Sequence, residues 1–439
     1  MLKIIVVNII LIIIIRNNKK RKGGWYNPST MLVGLYLIST ILTIPHLIIN
    51  EDDFQVQYTL VYQSRYWLGA IAFIIFLSLY LFPLLYFKEN ETKKIIIPNL
   101  QILNAFSTLL IIMSLYSIVY YLPSVFRIFR SGVALASLRS NGTYVLYKGT
   151  GLLNTVASVS ASMYPFVIML YFIYSIIGKH TVRRALLFIG STSNIFLVLT
   201  FVGRDGVVFW IFCFMYMYLF FAEYFNQRQK TRIRRFFVIG ALAAFFPFML
   251  ISSSRFSGKT GGTISGILSY MGQMLPNYCL YFAVRRKHYN YGTSFPLFWE
   301  AIGKKPPESA RWIDGGTESN VFGTFIKGFN INFGLAGTIL VGIIAALFFV
   351  FIFKKRKNSI YYYHYFIYVL YYQVLSQGVF YFRQYTRGDN LWMLICILFF
   401  AVFHFLQHHS SNFVLHKRPE EIDKMVRKKV VIKLGRYRI

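Results

Sequence analysis

The stretch FGLAGTILVGIIAALFFVFIF, Phe333–Phe353, decides the fold class of this chain. It carries no charged residue along its whole length. A helix of about 20 apolar residues is long enough to cross the roughly 30 Å of hydrocarbon in a bilayer. The stretch is therefore predicted to be a membrane-spanning helix.

Similar stretches recur along the chain, in which 56% of the residues are hydrophobic and 14% are charged. That composition is too apolar for a soluble chain of 439 residues. We expect a single all-α polytopic membrane domain over residues 1–439, with about eleven spanning helices (roughly 10–12). The other predicted spans are Met1–Ile15, Met31–Ile49, Tyr66–Phe87, Ile102–Leu122, Val156–Ile177, Ala185–Val202, Val207–Tyr224, Phe236–Ser252, Tyr361–Phe382 and Leu391–Leu406.

Positive charge follows alternate spans and predicts the orientation. The net charge is +32, and 29 of the 47 lysines and arginines lie in five short connections and the tail 407–439. Because Lys- and Arg-rich loops stay in the cytoplasm, we predict a periplasmic N-terminus and a cytoplasmic C-terminus in a bacterial inner membrane. The basic charge then indicates topology and contact with membrane lipids, not nucleic acid. The connections are Arg16–Lys22, Lys88–Lys94, Lys179–Arg184, Arg228–Arg235 and Lys354–Lys357.

The connections predicted to face outward are biased towards arginine. Apart from Lys3, they hold 17 basic residues, of which 11 are Arg. Arginine offers a planar fork that binds phosphate through two hydrogen bonds. An anionic, phosphate-bearing ligand is one explanation, and contact with lipid headgroups is the other.

The longest outer connection, 253–332, is predicted to be functional because ordered domains rarely contain structureless loops of that length. Within it, Ile264–Val284 is apolar but interrupted by Gly272, Gln273 and Pro276. We expect an interfacial or re-entrant helix there.

Three outer segments combine cations with small or acidic residues. Gly203-Arg204-Asp205-Gly206 is a turn between two spans, where charge is costly unless it is used; a plain turn with a self-paired charge is the alternative. Ser252–Gly262 contains Arg255 and Lys259 among glycines and hydroxyls, and its spacing is not that of a nucleotide-binding P-loop. The end of the long connection contains Arg285, Arg286, His288, Arg311 and Glu318. His288 and Glu318 are candidate general bases.

Two segments of the late outer connection resemble a family. Asn320-x-Phe-x-Thr-Phe, followed by Asn332-Phe-Gly-x-x-Gly, resembles the late signature of Wzy-type oligosaccharide repeat-unit polymerases. Those enzymes often read Asn-x-Tyr-Thr-x-Phe and then Asp-Phe-Gly-x-x-Gly, so Asn332 stands where an acid is usual. The Gly203–Gly206 turn and the Arg255-x10-Gly266 spacing are also similar to patterns of the family.

The resemblance implies a metal-independent glycosyltransferase of GT-C-like membrane architecture, without a cofactor. Such enzymes join repeat units carried on undecaprenyl diphosphate at the periplasmic face, in some systems with a chain-length regulator. Arginine and lysine would stabilise the diphosphate leaving group, with His288 or Glu318 as the base. The candidate substrate-binding residues are Arg204, Arg255, Lys259, Arg285, Arg286, Arg311, Asn320, Arg127, Arg139, Arg383 and Arg387.

Two other functions fit the same sequence. An O-antigen ligase shares the architecture and the donor but transfers finished chains to the lipid A core. A flippase of lipid-linked oligosaccharide belongs to a different class, and would be expected to place charged residues inside its spans and to show repeats. The predicted spans are nearly charge-free, which favours chemistry at one surface.

Overall fold

The structure is a computed structural model that describes residues 2–22, 26–87, 92–131, 138, 151–178, 180–256, 262–283, 292–305, 312–313, 317–318, 322–354, 359–409 and 411–417. Of residues 49, 51–65, 255, 283, 312–313, 317–318 and 354 it describes the backbone only. Most of the described chain is helical, as the apolar runs predict. The helices are α1 (Leu2–Lys22), α2 (Pro28–Ile49), α3 (Glu51–Tyr86), α4 (Leu100–Arg130), α5 (Leu152–Ser162), α6 (Tyr164–Ile177), α7 (Thr181–Gly190), α8 (Ser193–Leu199), α9 (Asp205–Phe221), α10 (Gln227–Phe256), α11 (Gly262–Gly272), α12 (Met274–Ala283), α13 (Pro296–Ala301), α14 (Thr324–Lys354), α15 (His364–Gln377) and α16 (Arg387–His409).

Eight helical segments of the described chain are long and apolar enough to cross a membrane. A ninth span results if α5 and α6, which meet at a bend of 46°, count as one. These nine coincide with nine of the predicted spans, which confirms an all-α, multi-pass membrane protein. Their ranges are Pro28–Ile48, Tyr66–Tyr86, Leu100–Arg130, Thr181–Leu199, Asp205–Tyr224, Gln227–Ser254, Thr324–Phe353 and Arg387–His409, with the bent pair Leu152–Ile177.

The predicted total of eleven depends on two further helices, α1 and α15. α1 is long enough but carries Lys3, Arg16 and four basic residues in its last turn. α15 has 14 residues, about 21 Å at 1.5 Å per residue, which is shorter than the hydrocarbon core. Eleven crossings therefore stay a prediction.

A small sheet, which the sequence did not predict, closes one end of the helix bundle. Its strands are β1 (Lys94–Pro98), β4 (Ser359–Tyr361) and β5 (Asn412–His416), in the order β4-β1-β5. β1 pairs in parallel with β4 and antiparallel with β5. Outside this sheet, β2 (Trp312–Ile313) and β3 (Thr317–Glu318) form a two-stranded ribbon.

Contacts around this sheet gather the basic connections at the same end. The hydroxyl of Tyr224 donates to the carbonyl oxygen of Thr92 (3.3 Å), and Lys417 pairs with Glu223 (2.6 Å). At the end of α1, Arg21 donates to the carbonyl oxygen of Tyr86 (3.3 Å). These contacts agree with the predicted alternation of basic and arginine-biased connections.

The apolar segment inside the long connection forms the helix pair α11–α12, which breaks at Gln273. α11 packs along α2, where the hydroxyl of Thr43 donates to the carbonyl oxygen of Gly272 (2.8 Å). α12 packs along α3, where Gly69 lies so close to Cys279 that a Cβ atom would be 2.8 Å from its Cα. Small residues allow this close approach of helices.

α6 lies at the centre of the bundle. Every residue from Tyr164 to Ser175 is buried, as expected for a helix that is apolar on all faces. Its first residue, Tyr164, follows the bend at Met163 between α5 and α6. That bend places the Tyr164 side chain at the site described next.

Candidate functional site

The Gly203–Gly206 turn joins α8 to α9 at the end of the bundle opposite the sheet. Val202, just before it, has a φ of 51°, an uncommon backbone conformation for a β-branched residue. A Cβ atom on Gly203 or Gly206 would lie 2.5 Å and 2.8 Å from side-chain carbons of Val198. The glycines are therefore required by packing, and they fix the position of Arg204 and Asp205.

Arg204 is 7% exposed. Its Nη1 donates to the hydroxyl of Ser252 at 3.1 Å. Its guanidinium carbon lies 4.7 Å from the ring centres of both Phe256 and Tyr270. The rings come from the end of α10 and from α11, so Arg204 joins two of the three polar segments noted in the sequence.

Asp205, Arg383 and Asp389 form a chain of charges beside Arg204. Arg383 Nη1 lies 3.0 Å from Asp389 Oδ2, and its Nε lies 3.8 Å from Asp205 Oδ2. Tyr381 also donates its hydroxyl to Asp205 Oδ2 at 2.8 Å. Burial by itself would lower the pKa of Arg383, but the carboxylates of Asp389 and Asp205 raise it above its ordinary value, so the guanidinium stays charged. We refer to Arg204, Asp205, Arg383 and Asp389 as the arginine cluster.

The sequence Thr386-Arg387-Gly388-Asp389 explains how Asp389 is positioned. Thr386 precedes α16, and its Oγ1 accepts a hydrogen bond from the backbone N–H of Asp389 (3.2 Å) and donates one to Asp389 Oδ2 (2.5 Å). A Thr before a helix with an acid three residues later is a common N-terminal capping arrangement. The cap holds the carboxylate towards Arg383.

The Asn-x-Phe-x-Thr-Phe segment lies against the same cluster. The backbone N–H groups of Gly323 and Thr324 donate to the carbonyl oxygen of Phe380 at 3.1 and 3.0 Å. The Phe322 ring stacks on Tyr381, with 5.3 Å between ring centres. Thr324 has a φ of 70°, so backbone strain occurs on both sides of the cluster.

Three helices therefore begin at this place: α9 at Asp205, α14 at Thr324 and α16 at Arg387. The contacts Asp205–Tyr381, Thr324–Tyr381 and Asp389–Arg383 join their N-termini. The N-terminus of an α-helix carries about half a positive charge and presents unpaired N–H groups. The charges of the two arginines and two aspartates cancel, so the helix ends leave the site electropositive.

Asn332 connects this region to the residues before α13. Its Oδ1 accepts from the Ser294 N–H (3.0 Å), and its Nδ2 donates to Ser294 Oγ (2.9 Å) and to the Gly328 carbonyl (2.6 Å). Asn390 Nδ2 donates to the Ser294 carbonyl at 3.1 Å. The amide of Asn332 thus acts as donor and acceptor at once, a combination that a carboxylate cannot provide.

A pocket opens beside Arg383, at the bend between α5 and α6. It encloses ≈ 290 Å³ between its lining atoms. Three glutamines, one asparagine, a tyrosine and a tryptophan dominate its wall, and we refer to it as the amide pocket. Its lining residues are Ser162, Tyr164, Asn194, Gln373, Gln377, Arg383, Gln384, Asp389 and Trp392.

Of the predicted site residues, the structure brings Arg204 and Arg383 together. Arg387 is exposed and pairs with Glu300 at 3.0 Å. Arg127 lies on the exposed face of α4, and no contact found for the described residues joins it to the arginine cluster. Of Arg255 and Glu318 only the backbone is described, and the remaining candidates lie outside the described residues: Lys259, Arg285, Arg286, His288, Arg311, Asn320 and Arg139.

The sequence analysis missed Asp389 and the polar wall of the pocket. Gln373 and Gln377 are four residues apart inside a predicted span, and such a pair lies on one face of a helix. Polar amides at that spacing could have marked a polar face towards the bundle interior. It also missed Lys327, which is 3% exposed near the start of α14.

Compared with known proteins, the chain matches no described protein family, no curated protein and no solved structure. The fold and the site define a class: a multi-pass helical membrane protein with a polar, pocket-bearing site at one end of the bundle.

Proposed function

We propose that this protein is a polymerase that joins undecaprenyl-diphosphate-linked oligosaccharide repeat units into O-antigen or capsular polysaccharide. The observation that carries the proposal is the convergence of the N-termini of α9, α14 and α16 on Arg204 and Arg383. Oriented N–H groups and guanidinium groups at a buried site suit a diphosphate. Each of these helices begins in or beside a segment that carries the sequence resemblance or the outward arginine bias.

The reaction needs a leaving group that is stabilised and a hydroxyl that is activated. A base takes the proton of a sugar hydroxyl on one lipid-linked unit, and that oxygen forms a bond to the anomeric carbon of the growing chain. The bond from this carbon to the diphosphate oxygen breaks, and undecaprenyl diphosphate leaves with the electron pair. Positive charge and helix N-termini that are already in place stabilise the departing diphosphate without reorganisation.

The base remains open among three acids and one histidine. Among the residues whose side chains are described, Asp389 lines the amide pocket, and Asp205 is 33% exposed beside it. Glu318 and His288 are the candidates from the sequence. Glu318 lies in β3, opposite Trp312 of β2. Replacing each acid by its amide, and His288 by Gln, would identify the base as the one whose loss abolishes chain extension but keeps substrate binding.

The proposal includes the finer features of the architecture. In it, α1 and α15 also cross the bilayer, giving eleven spans in a GT-C-like arrangement. The end with the β4-β1-β5 sheet faces the cytoplasm, and the arginine cluster faces the periplasm. The long connection then lies on the side where the lipid-linked substrates are expected, with membrane lipids around it.

A flippase is supported less well by the distribution of buried charge. Among the described residues, the buried lysines and arginines are Lys22, Arg204 and Lys327, and no aspartate or glutamate is buried. Lys22 lies near the sheet end, where its Nζ donates to the Leu84 carbonyl (2.9 Å), and the other two lie at the opposite end. A central charged cavity, as expected for a transporter of an anionic lipid, is absent from this part of the chain.

A direct test supplies the detergent-purified protein with lipid-linked repeat units, so that no membrane separates two compartments. A polymerase lengthens them into a ladder, whereas a flippase leaves them unchanged. Loss of the gene separates polymerase from ligase on a lipopolysaccharide gel. A polymerase defect leaves core with a single repeat, and a ligase defect leaves core without any O-chain.

A further inference from the structure

The amide pocket is organised by a chain of side-chain hydrogen bonds. Gln384 donates its Nε2 to Gln377 Oε1 at 2.7 Å. Gln377 and Gln373 donate their Nε2 groups to the hydroxyl oxygen of Tyr164 at 3.3 and 3.4 Å. These bonds hold each amide with its other end fixed in direction, so the pocket wall is rigid and polar.

Three polar atoms of this wall have no hydrogen-bond partner among the residues that the structure describes. They are Gln373 Oε1, Gln384 Oε1 and Trp392 Nε1. Their side chains are 7%, 2% and 2% exposed. Leaving such an atom buried without a partner costs about 1–3 kcal/mol. Two acceptors and one donor at the same pocket therefore indicate a ligand that completes them.

The missing partner must both donate and accept, and it must be neutral. Hydroxyl groups do both. The one cation of the wall, Arg383, is already paired with Asp389, so the pocket offers no excess charge for an anion. At ≈ 290 Å³ the pocket is at the lower limit of ligand pockets, roughly 300–1,000 Å³, and takes a single small ring.

We propose that the amide pocket binds the terminal sugar of the acceptor, with sugar hydroxyls bonded to Gln373 Oε1, Gln384 Oε1 and Trp392 Nε1. That the sugar belongs to a lipid-linked oligosaccharide rests on the proposed function. The sugar bonded to the departing diphosphate belongs at the helix N-termini, whereas the attacking sugar carries no phosphate at its reacting end. A neutral pocket adjoining the arginine cluster fits the attacking sugar.

The test uses the full chain in detergent and a phosphate-free probe. The probe is the repeat-unit oligosaccharide released by mild acid from the lipid-linked pool of the source cells and then dephosphorylated. Calorimetric titration is expected to show saturable binding to the wild-type protein. Trp392→Phe removes the unpaired N–H and keeps a large ring, and it should weaken binding about tenfold, the equivalent of about 1.4 kcal/mol.

Trp210→Phe is the matched control. Trp210 Nε1 donates to Ser191 Oγ at 3.0 Å, so this variant loses a satisfied hydrogen bond and should melt at a lower temperature with unchanged binding. Trp392→Phe removes an unsatisfied donor and should melt at the wild-type temperature or above it. A merely structural role for Trp392 would lower its melting temperature instead.

The inference is overturned if the wild-type protein does not bind the oligosaccharide, or if Trp392→Phe binds it equally well. Water alone would then fill the pocket. Chain extension by the same preparation separates the two proposals. Extension without oligosaccharide binding overturns the pocket assignment and leaves the polymerase, whereas binding without extension overturns the polymerase and leaves a sugar-binding site.

Discussion

At the scale of the residue, Arg383 connects the two carboxylates of the arginine cluster. Its Nη1 and Nε face Asp389 and Asp205 from two edges of one planar group. Lysine has a single charged centre on a flexible stem and cannot reproduce that fork. The two neighbouring arginines therefore differ sharply, since Arg387 is 72% exposed in its pair with Glu300.

We predict that Arg383→Lys strongly reduces chain extension. A hydrogen bond to a charged group contributes about 1.5–3 kcal/mol, which corresponds to about a 10- to 150-fold loss of rate if it acts in the transition state. Arg387→Lys is the control, because an exposed ion pair contributes about 0–1 kcal/mol. The ladder formed by purified variants measures both. Equal ladders from the two variants would contradict the assignment of Arg383.

Asn332→Asp tests the other polar junction. The carboxylate would keep the bond from the Ser294 N–H but would face Ser294 Oγ and the Gly328 carbonyl without a donor. We expect a loss of about 1–3 kcal/mol of stability, seen as a lower melting temperature in detergent. Asn99→Asp, at the N-cap of α4, should be nearly neutral, because Asp caps a helix as well as Asn does. A neutral Asn332→Asp would show that this amide does not hold the junction.

The sequence indicates the charged members of the site better than the neutral ones. Arg204 and Arg383 stand out because charge near a membrane boundary is costly and therefore rarely incidental. Gln373 and Trp392 do not stand out, because single amides and aromatics are common in spans and their role depends on the bend at Met163. Asp389 was missed because its carboxylate acts across a capping turn, which depends on three-dimensional contact.

At the scale of the element, α14 consists of two helical segments that meet at Gly334. Gly334 has φ 69° and ψ 178°, a backbone conformation that is essentially restricted to glycine. The break directly follows Asn332 and Phe333, so it separates a segment that touches the site from the long apolar span. It explains why glycine is needed in Asn332-Phe-Gly.

Gly334→Ala should therefore destabilise the protein by about 1–3 kcal/mol and reduce chain extension, because the new Cβ opposes the break. Gly34→Ala in α2 is the matched control. A Cβ there meets nothing within 4 Å, and Ala favours a helix by up to about 1 kcal/mol. Thermal unfolding of both variants in detergent makes the comparison. An unchanged melting temperature in Gly334→Ala would exclude strain at this position.

The long spans were predictable as elements, and the short ones were not. Nine spans coincide because about 20 apolar residues in a row allow few other structures. α15 ends early, since the chain turns at Gly378 and continues towards the cluster. β1, β4 and β5 have three to five residues each and depend on partners that are distant in the sequence. No local pattern could have indicated their pairing.

At the scale of the whole molecule, the two ends of the bundle differ in character. One end has the sheet and the basic connections, and the other has the arginine cluster and the amide pocket. Each basic connection carries lysine as well as arginine, as expected for segments retained in the cytoplasm. The predicted orientation therefore makes a direct statement about accessibility from outside the cell.

Labelling of single introduced cysteines tests that orientation. Tyr385 is 50% exposed at the cluster end, and Ser411 is exposed beside the sheet. We expect Tyr385→Cys to react with a membrane-impermeant maleimide in spheroplasts, and Ser411→Cys to react only after permeabilisation. Cys213, Cys279 and Cys396 are buried and should give a low background. Labelling of Ser411→Cys alone in intact spheroplasts would reverse the topology.

The β4-β1-β5 sheet also sets a timetable for synthesis. β1 leaves the ribosome early, but its antiparallel partner β5 begins only at Asn412. Making the intervening chain takes roughly 15–60 s at about 5–20 residues per second, and throughout that time one edge of β1 has no partner strand. A nascent chain cut short before residue 412 would expose that edge, and this could mark it as unfinished to the proteases that survey newly inserted proteins.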